Sequence, residues 1–287
     1  LLPLSFILIL NAAISQKTNI DFKINGLSNK SIIIAHYFGE NTLINDTVNL
    51  DVLGKGTFKS DTLLPQGLYL CIYPDKSYFE FILDQDQKFS IETKTGENAQ
   101  VYIENMKIKG SDINSLFIDY QKFMIERNIR SNDIRKQLKE NPDQATLKAE
   151  MEQLNEEVKN RWDKIKKNYA GTFLSKMIIA LEDVEVPEPP RDESGNITDS
   201  LFQYNYYKNH YFDHFDFTDQ QLLYSPIYHR RLTYFFDKVV VGRPDSIITA
   251  ADRLLKILPD DSDYFQYSLA YIFNKYAQSK YMGFDAV

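Results

Sequence analysis

The 287-residue chain is 43% hydrophobic and 25% charged, enough apolar material for two ordinary globular cores and too balanced for a disordered or fibrous chain. Its 40 acidic against 33 basic side chains leave a net charge of -7, which removes the basic footprint that a nucleic-acid partner requires. Cys71 is the one cysteine, so the chain alone makes no internal disulfide, no thiolate zinc cluster and no two-thiol redox cycle.

In chain order, residues 1–15 form an uncharged apolar run that meets the polar Gln16-Lys17-Thr18 at once. The run is too short to span a bilayer, and Ala13-Ile14-Ser15 puts small residues at the alternate positions a signal peptidase cleaves beside. Residues 1–16 therefore read as a secretory signal, cut at its start because neither an initiating Met nor a basic stretch precedes it. The expectation is an exported chain, in the periplasm or cell envelope, with no membrane span once the signal is removed and no cysteine for a lipid anchor.

From residue 17 to 110, apolar and polar residues alternate in short runs: Ile20-Phe22-Ile24, Ile32-Ile34, Val48-Leu50-Val52, Leu68-Leu70-Ile72, Phe79-Phe81-Leu83, Phe89-Ile91 and Val101-Ile103. This is strand periodicity. Turn residues punctuate it at Gly39-Glu40-Asn41, Gly54-Lys55-Gly56, Pro65-Gln66-Gly67 and Gly96-Glu97-Asn98. About eight strands at this spacing predict an antiparallel β-sandwich or a partly open barrel.

Past Gly110 the period lengthens and a helical domain over 111–287 is predicted, making the whole an α+β chain. Ser111 or Asp112 caps a helix running through Leu116, Tyr120, Phe123 and Ile129. Asn141-Pro142 is the predicted start of its partner, which carries Leu147, Met151, Leu154, Val158 and Trp162. An apolar helix over Thr172–Leu181 ends before a proline-bearing loop at 184–198. Further helices are expected over Ser200–His214, Ile227–Val240, Pro244–Leu258 and Ser262–Tyr281.

Between 201 and 236 the sequence concentrates Tyr and Phe together with His210, His214 and His229. His210 and His214 stand four apart, which on a helix puts both imidazoles on one face with Asp213 nearby. They lack the HExxH order and a third ligand, so structural hydrogen bonding is the reading preferred over zinc, and no metal is expected. The aromatic stripe has two readings, a packed core or an exposed platform for glycan or peptide. Interleaving at helical spacing favours the core. Arg230 and Arg231 have the chemistry to hold an anion, and the many local aspartates are their expected partners. Tyr207, His210, Tyr211, Asp213, His214, Arg230 and Arg231 are the candidate binding residues. Cys71, between Leu70 and Ile72, reads as a small buried hydrophobe. The chain has no G-x-G-x-x-G, Walker loop, G-x-S-x-G or C-x-x-C, so no catalytic residue and no cofactor is assigned.

Four segments, Ile24-Asn25-Gly26-Leu27, Asp51 to Phe58, Pro65-Gln66-Gly67-Leu68-Tyr69 and Tyr78 to Asp84, resemble in order and spacing the N-terminal β domain of exported Bacteroidota thioredoxin-like proteins. Leu181 to Pro187, Tyr206 to Asp213, Phe217-Thr218-Asp219 and Arg243 to Ile247 resemble the helical domain that follows it in the same family. Neither domain has an assigned molecular function there, so the resemblance supplies no catalytic residue. It implies instead that a thioredoxin-like domain, usually with its own C-x-x-C, follows beyond Val287. Gly283 as a helix C-cap and Asp285 as the next N-cap fit that expectation. The implied role is the non-catalytic N-terminal region of a thiol-disulfide oxidoreductase, with a protein client or the chain's own C-terminal thioredoxin-like domain as partner. The alternative is a stand-alone glycan- or peptide-binding module using 201–236. Exposed rings would favour that module and buried rings the redox scaffold.

Overall fold

The structure, a computed structural model, describes residues 17–277. The signal expected at 1–16 and the caps expected at Gly283 and Asp285 lie outside the described residues. Strands β1 (Thr18–Asn25), β4 (Lys55–Ser60), β7 (Lys88–Lys94) and β8 (Lys107–Lys109) form one sheet in the order β4-β1-β7-β8. Strands β2 (Ser31–Phe38), β3 (Asn41–Asn49), β5 (Gly67–Ile72) and β6 (Tyr78–Leu83) form the other, in the order β3-β2-β5-β6. The second sheet is antiparallel throughout. In the first, β1 and β7 run parallel, with Ile20 beside Phe89 and Phe22 beside Ile91, so the sandwich is not purely antiparallel. Alternation sends Ile20, Phe22, Ile24, Tyr69, Cys71, Phe81, Phe89 and Ile91 into the interior between the sheets.

Two elements depart from the sequence reading. Val101 and Ile103 stand not in a strand but in helix α1 (Ala99–Glu104), because the Asn98 side chain accepts from the Val101 N–H at 3.3 Å and caps a turn. Conversely, the Gly54-Lys55-Gly56 turn opens directly into β4, where Phe58 alone is buried and leaves little alternation to detect. Val52 lies beyond the end of β3 and is 67% exposed.

Helices α2 (Asp112–Glu140) and α3 (Ala145–Asn168) form an antiparallel hairpin. Ser111 caps the first, its hydroxyl accepting from Asn114 N at 3.3 Å. Asn141 is the C-cap of α2 rather than the N-cap of α3, which starts after Gln144. Ile129 faces solvent, and the buried side of α2 carries Asn114, Phe117, Ile118 and Ile134. Then follow α4 (Phe173–Leu181), α5 (Phe202–His210), a 3₁₀ turn at Gln220–Tyr224, α6 (Ile227–Tyr234), a π-helical turn at Phe235–Val239, α7 (Pro244–Ile257) and α8 (Asp263–Ala277). Among the described residues, no helix is long and apolar enough to cross a membrane.

The helical core holds Phe173, Tyr211, Phe212, Phe215, Tyr228, Phe235 and Phe236, and it also takes in Leu68 and Ile82 from β5 and β6. β5 is therefore buried on both faces, Tyr69 and Cys71 toward the first sheet and Leu68 toward the helices. The molecule stacks as sheet, sheet and helices. The outer layer approaches closely at Gly67, where an added Cβ would stand 2.3 Å from the Tyr224 Cβ.

Candidate functional site

One concavity is an open groove of about 850 Å³ between the α2–α3 hairpin on one side and residues 182–185 with α5 on the other. Each wall has a local cause. The hairpin is laced by Arg130, which binds both Glu150 oxygens at 2.5 and 2.6 Å, and by Arg127, which binds Glu157 at 2.8 Å. Trp162 Nε1 donates to the Tyr120 hydroxyl at 3.2 Å. Opposite, α4 stops because Glu182 adopts an extended conformation (φ −65°, ψ 142°). Lys166 binds Asp163 at 3.0 Å and also binds Glu182, while His214 Nδ1 meets the Glu182 carbonyl at 3.0 Å. Its hydrogen bond to Glu182 raises the Lys166 ammonium above the ordinary lysine value, so it stays charged. Met124, Leu154, Val158 and Trp162 give the groove its apolar surface.

Three of the candidate residues, His210, Asp213 and His214, line this groove. His210 stacks on Tyr206 with ring centroids 4.1 Å apart, and its Nδ1 lies 2.6 Å from Asp213 Oδ2. α5 ends at His210 and the chain turns through 211–214, so the imidazoles do not share one helical face, and they meet different partners, Asp213 for His210 and the Glu182 carbonyl for His214. Among the described residues, no group of three or more His, Cys, Asp or Glu is placed to hold a metal.

Tyr207, Tyr211 and Arg231 converge beside the groove around Asp183. The Tyr207 hydroxyl donates to Asp183 Oδ1 at 3.3 Å, and Arg231 Nη1 reaches the same oxygen at 3.3 Å. Arg231 also donates to the Tyr211 carbonyl at 3.1 Å and lies 4.3 Å from the centroid of the Tyr211 ring. Tyr211 is 1% exposed, and burial raises its phenol and that of Tyr207 above the usual tyrosine value. Arg230 is not brought to this cluster. It lies on the far side of α6, where its charge opposes the effect of burial on Glu80.

Of the aromatic residues of 201–236, Tyr211, Phe212, Phe215, Tyr228, Phe235 and Phe236 are buried, Phe202, Tyr204, Tyr206, Tyr207, Phe217 and Tyr224 are half-buried, and Tyr234 is exposed at 52%. Cys71 is fully buried and its thiol is pushed well above the ordinary cysteine value by desolvation. It lies in the sandwich interior and lines no wall of the groove. Sequence reasoning missed the hairpin wall, Arg127, Arg135, Lys159 and Trp162, together with 182–185. The one local sign of the latter was Val186 before Pro187, which biases the chain to extended geometry.

Comparison with known families matches residues 137–287 to a family described as a domain of unknown function (DUF5106), and residues 18–117 to a second such domain (DUF4369). The first match spans more than half of the chain. The stretch between the two matches lies inside α2 rather than at a loop. No curated protein matches the chain.

Proposed function

The chain belongs to the DUF5106 family, and from that premise we propose that it is the non-catalytic N-terminal region of an exported thioredoxin-like thiol-disulfide oxidoreductase of the Bacteroidota kind. It positions the redox domain or binds that domain's client in the periplasm or cell envelope. The observation that carries the reading is Cys71: a lone thiol, fully buried and held protonated, has no partner for a dithiol cycle and no access to a substrate disulfide. The order of the two matched domains agrees with the resemblance. A groove of 850 Å³ with charged walls and an apolar surface offers a place to bind. Burial of Tyr211, Phe212, Phe215, Tyr228, Phe235 and Phe236 weighs for a scaffold and against an aromatic platform built on those rings.

Two measurements test the reading. The complete reading frame should continue past Val287 into a domain with a thioredoxin pattern, and a stop codon there or an unrelated domain would remove the redox role. The purified chain should give no turnover in an insulin-reduction assay. Turnover that disappears in Cys71→Ser would overturn the non-catalytic assignment.

A further inference from the structure

Helix α8 carries two charged side chains in its 15 residues, Asp263 and Lys275, and Lys275 is held by Asp237 and the Tyr271 hydroxyl. On the buried side Tyr264, Ser268, Ile272 and Tyr276 recur every fourth residue, the spacing of a packed inner face. The outward side is apolar as well. Leu269 is 46% and Phe273 66% exposed, and the exposed Ala270 and Ala277 extend them along the helix. By contrast, α3 turns Lys148, Glu152, Glu156, Asp163 and Lys167 to water. A helix that is apolar on both sides is one that a protein covers.

Single exposed apolar side chains are ordinary, and this chain has others. Among the described residues, Leu269 and Phe273 are the one pair of exposed large apolar side chains set four apart on a helix, so they stand one above the other. Beside them lies a concavity of about 460 Å³ between α8 and the β2–β3 turn, lined on one side by Ala270 and Tyr271 and on the other by Phe38 and Asn41.

The size of this face bears on what covers it. Two large side chains and two alanines fall far short of the roughly 20–30 residues a side of a stable interface between free proteins. A tethered partner needs less, because its tether supplies an effective concentration in the millimolar range. Ala277, the last described residue, stands ten residues before Val287, a reach of at most about 35 Å when fully extended. A domain that follows in the chain is therefore delivered to this face, whereas a second copy of the same net charge of -7 meets it only by collision.

We propose that the outward face of α8, Leu269 and Phe273 with the adjoining concavity, is the seat on which the redox domain docks through an apolar patch of its own. This deepens the positioning role proposed above and rests on it. The concavity is shared between α8 and the β2–β3 turn, so a domain seated there touches both parts of the chain and takes its orientation from them.

The test is hydroxyl-radical footprinting of the complete protein against the 287-residue chain, with the labelling of Phe273 as the readout. At an effective concentration of about 1 mM and an intrinsic Kd of about 0.1 mM the face is covered roughly nine-tenths of the time, so Phe273 should be labelled about tenfold less in the complete protein. Leu269→Glu, at an exposed site, should restore that labelling and leave the melting temperature of the 287-residue chain unchanged. Equal labelling in the two proteins, or protection that survives Leu269→Glu, would overturn the proposal. Protection in the 287-residue chain that grows with its concentration would also overturn it, by assigning the face to a second copy. A reading frame without a thioredoxin pattern removes the redox reading before any labelling is done, whereas a thioredoxin pattern with an unprotected Phe273 removes the docking alone, so the two failures are distinguishable.

Discussion

The outer edge of β6 is closed at Ile82 by a side chain: Asn114 Oδ1 accepts from the Ile82 N–H and Asn114 Nδ2 donates to the Ile82 carbonyl, each at 2.8 Å. The amide of a fully buried asparagine stands where a neighbouring strand's peptide would stand. Asn114→Ala leaves both backbone groups buried and unpaired, and should lower unfolding free energy by about 1–3 kcal/mol in urea denaturation. Glu80 on the same strand accepts from the Tyr37 hydroxyl at 2.7 Å, and burial raises its carboxyl above the ordinary value despite that bond and Arg230. A raised acid stabilises the fold below its unfolded pKa of about 4.3, and that contribution is lost as pH rises through the folded value. Wild type should therefore lose stability relative to Glu80→Gln as pH is raised from about 4 toward neutrality, measured by urea midpoints. Parallel curves would refute this. Cys71 should react with Ellman's reagent only after unfolding, because its thiol is both inaccessible and held protonated.

The α6 segment and the turn after α5 owe their place to rings rather than to regular hydrogen bonding. Phe212 packs on Phe235 at 5.0 Å and on Phe215 at 6.0 Å, and both Phe212 and Phe235 are buried. Truncating either to Ala should cost about 3–5 kcal/mol, read as a lower melting temperature. Such elements were legible where a local rule decides: Ser111, one of the two caps read for α2, accepts from the N–H three residues on, and the apolar helix read from Thr172 is α4, with Thr172 as its N-cap. They were not legible where a distant partner decides. Val101 and Ile103 alternate like a strand, yet behind the Asn98 cap they wind into a helix whose Tyr102 and Ile103 are buried against residues from distant strands of the sandwich core. Asn141-Pro142 has the chemistry of a helix start, but α2 simply runs further than its apolar spacing shows, on charge ladders to α3. At the candidate site the local cluster His210, Asp213 and His214 was visible. The opposite wall was not, since Arg135 and Lys159 look like ordinary solvated helix faces until α2, α3 and the residues after α4 are folded together.

The two family matches suggest separable halves, but the packing does not. Gly39, with φ 60°, donates its N–H to the Leu223 carbonyl at 2.7 Å, and a Cβ there would lie 2.2 Å from the Tyr267 ring. Next to it, Glu40 N–H donates to the Tyr267 hydroxyl at 3.0 Å, which His229 Nδ1 meets at 2.8 Å. With Leu68 and Ile82 also inside the helical core, the β and helical parts should melt in one calorimetric transition whose van't Hoff and calorimetric enthalpies agree. Gly39→Ala, which is both strained in the left-handed region and sterically blocked, should lower that transition without splitting it. Two separate transitions in the parent protein would show that the shared core does not couple the halves.

The parallel pairing of β1 with β7 also dictates an order of assembly during synthesis. β1 is central in its sheet, yet one of its two neighbours is encoded some seventy residues later, and closing so long a loop before any contact rewards it is slow. A nascent chain that has emerged only as far as β6 thus holds β1 with one flank open, and it displays Leu68 and Ile82 to solvent until α2 and, later, the 3₁₀ turn at Gln220–Tyr224 arrive to cover them. The half-made protein carries an unsealed strand edge and a bare apolar face at the same moment, the condition in which a chain is most exposed to misassociation.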